Sequence, residues 1–243
     1  MRSYRVHSYS DLVLGESTVL DERSSHHLAR VLRIKVNDNV TVFNGDGYNY
    51  PSQVSAIAQG RVTVDPLSKE HAGNESPLTT HLGLAVSKGD RFDWAIKKAT
   101  ELGVSSISPI LSQRVDVRLS PERWTKKQEH WQQIVVSACE QSGRAIVPEV
   151  SPPKPLTDWV KMAEADYKFC LHPGVGDVLP DAHPSSISLL IGPEGGLSDD
   201  EVMLASDNGF LGLHLGPRIL RTETAPLVAL SVFGTQWGDL SAI

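Results

Sequence analysis

The sequence predicts a small β-rich domain followed by an α/β domain whose sheet is mostly parallel. In residues 1–71, short strand-like runs are separated by turn residues and little helical periodicity is present, which is typical of a small barrel or sandwich. Residues 72–78 form a polar linker that contains a proline. Strand-like and helix-like segments then alternate through residues 79–243, which favours parallel strands connected by helices.

The first domain is expected to contain at least three strands. They are predicted at Val40–Phe43, Gln53–Ile57 and Arg61–Val64, where β-branched and apolar residues recur. The segment Asn44–Gly47 is the strongest turn between them, because asparagine and glycine readily adopt positive φ. These short elements leave a β-barrel or a sandwich as the predicted architecture of this domain.

The second domain is expected to alternate five strands with five helices. The predicted strands are Leu82–Val86, Val104–Leu111, Tyr167–Leu171, Ile187–Ile191 and Leu211–Leu215. The predicted helices are Asp93–Leu102, a long one from Ser120-Pro121 to Gly143, Leu156–Ala163, one beginning at Ser198, and one capped by Thr222 that runs to about Gln236. Ser198 and Glu201 form a capping box, and proline after Ser120 suits the first helical position.

Composition excludes several classes of protein. The chain has two cysteines and no Cys/His cluster, which excludes a disulfide scaffold and gives no support to a metal site. No apolar run approaches the ~18 residues of a membrane span, and the N-terminus lacks the apolar core of a signal peptide. The sequence therefore predicts a cytoplasmic protein without a membrane partner.

Charge is distributed unevenly along the chain. Residues 88–144 carry ten Lys/Arg against seven Asp/Glu, whereas residues 145–243 carry five against thirteen, and the whole chain has a formal charge of −6. Because a nucleic acid is bound by a local basic patch, the acidic total does not exclude one.

A glycine-rich turn follows a strand at Leu189–Ser198 (LLIGPEGGLS). A turn between a strand and a capped helix commonly holds a ligand at the carboxyl end of a sheet. The motif is neither GxGxxG nor a P-loop, and Pro193 and Glu194 are unsuited to a pyrophosphate. Its glycines would allow backbone groups to approach a neutral or cationic ligand. An ordinary tight turn is the alternative interpretation.

A second Gly-Pro turn, Gly216-Pro217, follows the strand that ends at Leu215. It lies in the segment Leu215–Ala225 (LGPRILRTETA). Ile219 and Leu220 are expected to bury this loop together with Arg218 and Arg221, and a buried arginine needs an anionic partner. Solvated arginines are the alternative. Two such turns at neighbouring strand ends are expected to form two walls of one pocket.

Three further segments carry polar or basic residues. At Ser137–Arg144, Gln141 could read a base edge and Arg144 could hold a phosphate, although a plain polar helix end has the same composition. Cys139 in this segment is predicted to be a core residue, not a nucleophile. Arg23–Lys35 contains four Lys/Arg and no acid, and we interpret it as an RNA-phosphate contact, with a solvated helix face as the alternative.

The third of these segments is Ser87–Val104. It places Lys88 and Arg91 at the sheet edge, and Lys97 is expected to face solvent or to pair with Glu101.

Five segments together resemble the RsmE family of ribosomal RNA methyltransferases in the SPOUT (α/β-knot) superfamily. They are HHLARVLR, VSKGDRFDWAIKKATELGV, SACEQSGRA, LLIGPEGGLSDDEV and LGPRILRTETAPLVAL, in that order. The resemblance spans nearly the whole chain. Two departures are Asn37, where a glycine is typical before Asp38, and Val115, where a serine is more usual.

The resemblance implies a fold and an activity. The fold would be an N-terminal PUA-like RNA-binding β-barrel and a C-terminal SPOUT α/β domain whose end is threaded into a trefoil knot. The activity would be transfer of a methyl group from S-adenosylmethionine (SAM) to N3 of a uridine in 16S rRNA, within the 30S subunit, by a homodimer without a metal ion.

The resemblance also assigns roles to individual residues. For the cofactor it implies Leu171, His172, Pro173, Ile191, Gly192, Pro193, Glu194, Gly195, Gly196, Leu215, Gly216, Leu220, Arg221, Thr222, Glu223, Thr224 and Ala225. For RNA it implies Arg23, His26, His27, Arg30, Arg33, Lys88, Arg114, Gln141 and Arg144. Catalytic roles fall to Arg221, Arg91 and Glu223.

The catalytic roles follow from the chemistry of uracil. Uracil N3 becomes a good nucleophile only as its proton leaves, and Arg221 would stabilise the negative charge that develops, with Arg91 and Arg144 as further candidates. Glu223 would be a general base or a helix cap, and the sequence leaves both possible.

Three rival interpretations remain at this point. The chain could be another SPOUT methyltransferase, for instance one that acts on tRNA ribose, or a non-catalytic RNA-binding protein of ribosome assembly. A dinucleotide-dependent oxidoreductase is disfavoured by the missing GxGxxG motif.

Overall fold

A computed structural model describes residues 4–115, 117, 119–172, 176 and 180–241. The chain forms two compact units, and each contains two stretches of sequence. The first unit is Met1–Glu75 with Cys139–Val147, and the second is Ser76–Ala138 with Pro148–Ile243. The sequence predicted domains that are each one continuous stretch, so residues 139–147 were not assigned to the first unit.

The first unit is built on a six-stranded sheet with the order β1-β3-β4-β5-β2, and β6 pairs with β4. The β1–β3 pair is parallel and the other pairs are antiparallel. The strands are β1 Tyr4–His7, β2 Thr18–Val19, β3 Asn39–Phe43, β4 Tyr48–Ala58, β5 Arg61–Pro66 and β6 Glu70–His71, and a helix α1 Glu22–His26 continues as a π-helix at His27–Leu32.

The three predicted strands of the first unit are confirmed as β3, β4 and β5. Along β5 every second residue is buried, which directs Val62 and Val64 into a core shared with Val42 and Val54. The strands β1, β2 and β6 were not predicted, because they are two to four residues long and are defined by pairing with residues distant in the chain. Closure of this sheet into a barrel stays a prediction.

Several turns of the first unit use positive φ. Gly45 and Gly47 have φ of 94° and 87°, as the Asn44–Gly47 turn predicted. Asn37 has φ of 72°, in the left-handed region that glycine adopts without strain. Asparagine is one of the few other residues that tolerates the left-handed region, so the departure preserves the turn.

Residues 139–147 are held in the first unit by Arg5. Its guanidinium donates hydrogen bonds to the carbonyl oxygens of Cys139 at 2.5 Å and Arg144 at 2.8 Å, and it lies 3.8 Å from the ring centroid of Phe43. Desolvation lowers the pKa of Arg5 to about 10, so it stays charged at neutral pH. Hydrogen bonds from this half-buried cation therefore help to hold the segment in the first unit.

His7 makes the first unit sensitive to acid. It is 3% exposed, and burial, reinforced by the charge of Arg23, lowers its pKa from 6.5 to about 4. The folded state then binds fewer protons than the unfolded state, so stability is complete above pH 6.5 and falls as the pH drops toward 4. We expect a loss of about 2 kcal/mol between about pH 7.5 and about pH 5.

Hydrogen exchange of the β1 and β3 amides at these two pH values measures this loss. His7→Gln should remove most of the pH dependence, and His26→Gln, at an exposed position, should retain it. A His7→Gln protein with unchanged pH dependence would show that other groups are responsible.

The second unit contains a seven-stranded parallel sheet with the order β10-β8-β7-β12-β11-β13, and β9 pairs with β8. The strands are β7 Thr79–Ala85, β8 Ser106–Leu111, β9 Glu149–Val150, β10 Lys154–Pro155, β11 Tyr167–Leu171, β12 Ser186–Ile191 and β13 Phe210–Leu213. The helices are α2 Arg91–Glu101, α3 Pro121–Ser142, α4 Leu156–Met162, α5 Asp199–Asp207 and α6 Ala225–Gln236. The predicted parallel α/β sheet is confirmed.

Most predicted helix signals are confirmed. The capping box of Ser198 and Glu201 forms at the start of α5, and α3 begins at Pro121. The prediction that Thr222 caps α6 is wrong. The helix begins at Ala225 after a turn in which the amides of Thr224 and Ala225 both donate to the carbonyl of Arg221.

The last helix is anchored by aromatic residues. Phe233 on α6 stacks on Phe169 of β11, with ring centroids 4.9 Å apart, and on Trp237, at 5.0 Å. All three side chains are buried.

On α2, Lys98 pairs with Glu101 at 2.8 Å, and Lys97 is exposed to solvent. Among the helices of the described ranges, none combines the length and apolarity needed to cross a bilayer.

Candidate active site

A cavity of about 600 Å³ lies where the strands β11 and β12 end in the second unit. The Gly192-Pro193 turn and the part of the second loop that follows the Gly216-Pro217 bend form its walls. The two loops therefore meet at one cavity as predicted, whereas the second bend itself lines an adjoining cavity. The lining residues are Arg91, Arg114, Leu171, His172, Ile191, Gly192, Pro193, Glu194, Gly195, Gly196, Leu197, Ile219, Leu220, Arg221, Thr222, Glu223 and Ala225.

The first wall is the turn after β12, and it is tightly packed. A Cβ at Gly192 would lie 2.9 Å from Cγ and 3.1 Å from the backbone nitrogen of Leu197. Gly196 has φ of 70°, and its amide donates to the carbonyl of Pro193 at 2.8 Å. Glycine is therefore required at Gly192 by space and at Gly196 by backbone conformation.

The second wall is the loop between β13 and α6, and here one prediction is wrong. Ile219 was expected to bury the loop, but it is 85% exposed, and Arg218 and Arg221 are exposed as well. The buried residues of the segment are Thr222 and Ala225, because the chain reaches the core only as it turns into α6. The arginines accordingly need no buried anionic partner.

Two residues that line the cavity each have one buried polar atom without a hydrogen-bond partner among the described residues. They are His172, at Nδ1, and Glu223, at Oε2. Leaving such a group unpaired costs about 1–3 kcal/mol. The N-cap residue of α6 is Thr224, which makes no side-chain capping bond, and the role of Glu223 stays a prediction.

Two arginines hold the glycine-rich turn. Arg91 donates to Oε1 of Glu194 at 2.8 Å. Arg114 donates to the carbonyl oxygens of Gly195 at 2.8 Å and Leu197 at 3.2 Å. Arg91, Arg221 and Glu223, for which catalytic roles were predicted, thus lie on one cavity. Arg114, predicted only as an RNA contact, supports the turn.

Most residues predicted to bind the cofactor line this cavity. Leu215 and Gly216 line an adjoining cavity of about 250 Å³ that shares Leu171 and His172 with the larger one. Thr224 is not among the lining residues of either, and Pro173 lies outside the described residues. Leu197 also lines the cavity and was not predicted to do so. Its position directly after Gly196 in the glycine-rich turn was a signal that could have identified it.

The predicted RNA contacts fall into exposed and enclosed residues. The exposed ones are His26, Arg30, Arg33, Lys88, Arg114 and Gln141. His27 is half-buried, and Arg23 is half-buried with Nη1 3.5 Å from Oε1 of Glu140. The roles of these residues stay predictions.

Arg144 does not point into a groove. It is 4% exposed, and its guanidinium lies 2.6 Å from the carboxylate of Glu75. Burial of a charge requires such a partner. The structure therefore gives Arg144 a structural ion pair in the first unit, in place of the phosphate contact expected from the sequence.

The two thiols are poor nucleophiles. Burial raises the pKa of Cys139 to about 11 and that of Cys170 to about 12, so both are protonated at neutral pH. The predicted core role of Cys139 is confirmed by its complete burial. Within the described ranges, no group of three or more His, Cys, Asp or Glu side chains could hold a metal ion.

The class of the protein follows from its similarity to known families. A family model described as an RNA methyltransferase domain matches residues 74–234, and one described as an RNA methyltransferase PUA domain matches residues 20–67. The fold and its cavity are accordingly those of an RNA methyltransferase.

Curated relatives and solved structures identify the family. Ribosomal RNA small subunit methyltransferase E of Buchnera aphidicola is 35% identical over 95% of both chains, and that of Bacillus subtilis is 31% identical over 87% of both. A methyltransferase of Legionella pneumophila in complex with SAM has a TM-score of 0.94 at 38% identity, covering 99% of this chain and 100% of that one.

A second structure is that of ribosomal RNA small subunit methyltransferase E of Neisseria gonorrhoeae bound to SAM. It gives a TM-score of 0.92 at 37% identity with the same coverage. The chain belongs to the ribosomal RNA small subunit methyltransferase E family.

Proposed function

We propose that this protein transfers the methyl group of SAM to N3 of a specific uridine in 16S rRNA and releases S-adenosylhomocysteine. The observation that carries the proposal is the meeting of the Gly192-Pro193 turn and the loop before α6 at one cavity of the second unit. Its support from relatives is the presence of SAM in the Legionella and Neisseria structures, which match over nearly the whole chain.

The residues of the cavity fit SAM. The glycine-rich turn presents backbone groups at close range, which suits a nucleoside, and Pro193 and Glu194 disfavour a pyrophosphate. The carboxylate of Glu223, which also lines the cavity, suits a cationic ligand. When bound, SAM supplies a methyl group that its sulfonium already activates, so the protein needs no covalent nucleophile.

The side chains around the cavity then act on the uridine. Arg221 lines the cavity and stabilises the negative charge that develops on the uracil oxygens as the N3 proton leaves. Arg91 is a second cation on the same cavity. The unpartnered Oε2 of Glu223 supports a role in accepting the N3 proton. The walls hold both substrates in line for transfer.

The two parts of the chain divide the work in this proposal. Residues 1–71 form a PUA-like barrel that binds rRNA, residues 72–78 are a linker, and residues 79–243 form the SPOUT domain with its trefoil knot. The protein acts as a homodimer on the 30S subunit in the cytoplasm. Support comes from the PUA-domain match and from the exposed basic residues near α1.

The decisive experiment is incubation of the protein with labelled SAM and undermethylated 30S subunits, followed by nucleoside analysis of the 16S rRNA. We expect N3-methyluridine at a single position. A label on a ribose or on another base would identify a different RNA methyltransferase. Absence of SAM binding in calorimetry would leave an RNA-binding protein without catalysis.

RNA binding by the first unit is testable separately. Replacing Arg30 and Arg33 with alanine is expected to weaken 30S binding about tenfold and to reduce the dependence of log K on log salt by about 1–2, because two phosphate contacts are lost. SAM affinity, measured by calorimetry, should not change. Replacing Lys154 and Lys161, two cations of the acidic C-terminal region, is the matched control. Loss of SAM affinity instead of RNA affinity would refute the division of labour.

A further inference from the structure

Glu201 is a buried carboxylate that is not among the residues lining the cavity. It lies in the first turn of α5 and is 8% exposed. Its two oxygens accept backbone amides from two different segments, Oε1 from Gln113 at 2.7 Å and Oε2 from Ser198 at 2.9 Å. Because burial of a charged group is unfavourable unless hydrogen bonds compensate it, both bonds matter for this side chain.

A helix cap accounts for only one of these two bonds. In a capping box the glutamate accepts the amide of the N-cap residue, which here is the bond from Ser198. The bond from Gln113 spans 88 positions of the chain and adds nothing to the cap. Asp199 and Asp200 already supply negative charge to the first turn of α5, where the helix dipole favours it. The second bond of Glu201 therefore has a purpose other than capping.

The β-turn that contains Gln113 also holds the glycine-rich turn. This β-turn comprises residues 112–115, directly after β8, and a hydrogen bond of 3.1 Å joins its two ends. Arg114, in the same β-turn, donates to two carbonyl oxygens of the glycine-rich turn at 2.8 and 3.2 Å. The β-turn is thus connected to the first wall of the cavity by a guanidinium that donates, and to α5 by the Glu201 carboxylate that accepts.

We propose that Glu201 is a positioning residue for SAM. By binding Gln113 it keeps the β-turn, and with it the guanidinium of Arg114, against the glycine-rich turn, and by binding Ser198 it fixes the end of that turn. The backbone groups that face the cavity are thereby held in the arrangement that accepts SAM. Glu201 contacts neither SAM nor RNA and acts only through the wall. This inference rests on the proposed function, because it assigns the cavity to SAM.

Gln113→Pro tests the bond from the side of the β-turn. Proline removes the backbone N–H that Glu201 accepts, and position 113 is the second residue of the β-turn, where proline is favoured. The capping box of α5 is left intact. Gln113→Ala is the matched control, because it removes the same exposed side chain and keeps the N–H. In calorimetry we expect SAM affinity at least about fivefold lower in Gln113→Pro, and within about twofold of the unchanged protein in Gln113→Ala.

Glu201→Gln tests the contact from the side of the helix. Glutamine keeps the size of the side chain, but its NH₂ group cannot accept an amide, so one of the two bonds is lost. We expect SAM affinity at least about fivefold lower, whereas Asp200→Asn, which removes an exposed charge from the same helical turn, should stay within about twofold. At saturating SAM the rate of methyl transfer in Glu201→Gln should fall less than about threefold.

The double variant tests whether the two changes act through one contact. Because Gln113→Pro and Glu201→Gln disturb the bonds of the same carboxylate, their effects on SAM affinity should not be independent. The loss in the double variant should therefore be well below the product of the two single losses.

Three results would overturn the inference. They are equal SAM affinities in Gln113→Pro and Gln113→Ala, a loss in Asp200→Asn as large as that in Glu201→Gln, and single losses that multiply in the double variant. Should thermal unfolding show that Glu201→Gln does not fold, the comparison at position 113 decides alone. An unchanged protein that binds no SAM would contradict the proposed function, whereas SAM binding that Gln113→Pro leaves unaffected would contradict this inference alone.

Discussion

Replacing Arg221 with alanine is expected to lower the rate of methyl transfer about 10²-fold, and replacing it with lysine at least about tenfold. Removal of one preorganised donor that faces developing charge typically has an effect of this size. Lysine retains the charge but presents a single ammonium group in place of a planar fork. The backbone carbonyl of Arg221, which accepts the amides of Thr224 and Ala225, is kept in both variants, so SAM affinity should change by less than about threefold.

Single-turnover rates on undermethylated 30S subunits at saturating SAM measure this effect, and calorimetry measures SAM binding. The matched control is Arg218→Ala, which removes an exposed arginine of the same loop that does not line the main cavity. Its rate should equal that of the unchanged protein. Nearly full turnover in Arg221→Lys would sink the assignment of transition-state stabilisation to Arg221.

Replacing Gly192 with alanine is expected to lower SAM affinity at least tenfold, or about 1.4 kcal/mol. The added Cβ would meet both the side chain and the backbone nitrogen of Leu197 at 2.9 and 3.1 Å. Leu197 is 2% exposed, and the contact with its backbone nitrogen cannot be relieved by a side-chain rotation. The turn must therefore open, and the backbone groups that face the cavity move with it.

Gly195→Ala provides the comparison for Gly192→Ala. A Cβ at Gly195 would make only ordinary contacts, at 3.5 Å to Cβ of Arg114, so we expect an affinity loss below about threefold. Calorimetric titration with SAM, together with thermal unfolding to establish that both variants are folded, compares the two. Equal affinities in folded Gly192→Ala and Gly195→Ala proteins would contradict the packing argument.

Local patterns in the sequence were sufficient for much of the second unit. The strand Tyr167–Leu171 is predicted to the residue, and the capping box at Ser198 forms as expected. Both depend on neighbours within a few positions. The meeting of the loops after β12 and β13 at one cavity was also predictable, because parallel strands present their carboxyl ends at the same edge of a sheet.

The errors share a different origin. Arg144 was expected to face a groove, but its partner Glu75 lies 69 positions earlier in the chain, and nothing in the local pattern indicates such a contact. Ile219 is exposed although apolar residues usually favour burial, because the loop reaches the core only at Thr222. Packing between distant segments decided both cases. The roles of the individual site residues depend on bound substrates and therefore rest on the experiments above.

The participation of residues 139–147 in the first unit has a consequence for protein dissection. A fragment that ended at residue 75 would leave the guanidinium of Arg5 without its carbonyl acceptors at Cys139 and Arg144, and Glu75 without its cation. The sequence-derived boundary would thus yield an incomplete first unit in which two charged side chains have lost their partners. A folded N-terminal piece should require the nonapeptide CEQSGRAIV, either fused through a short spacer or added in trans.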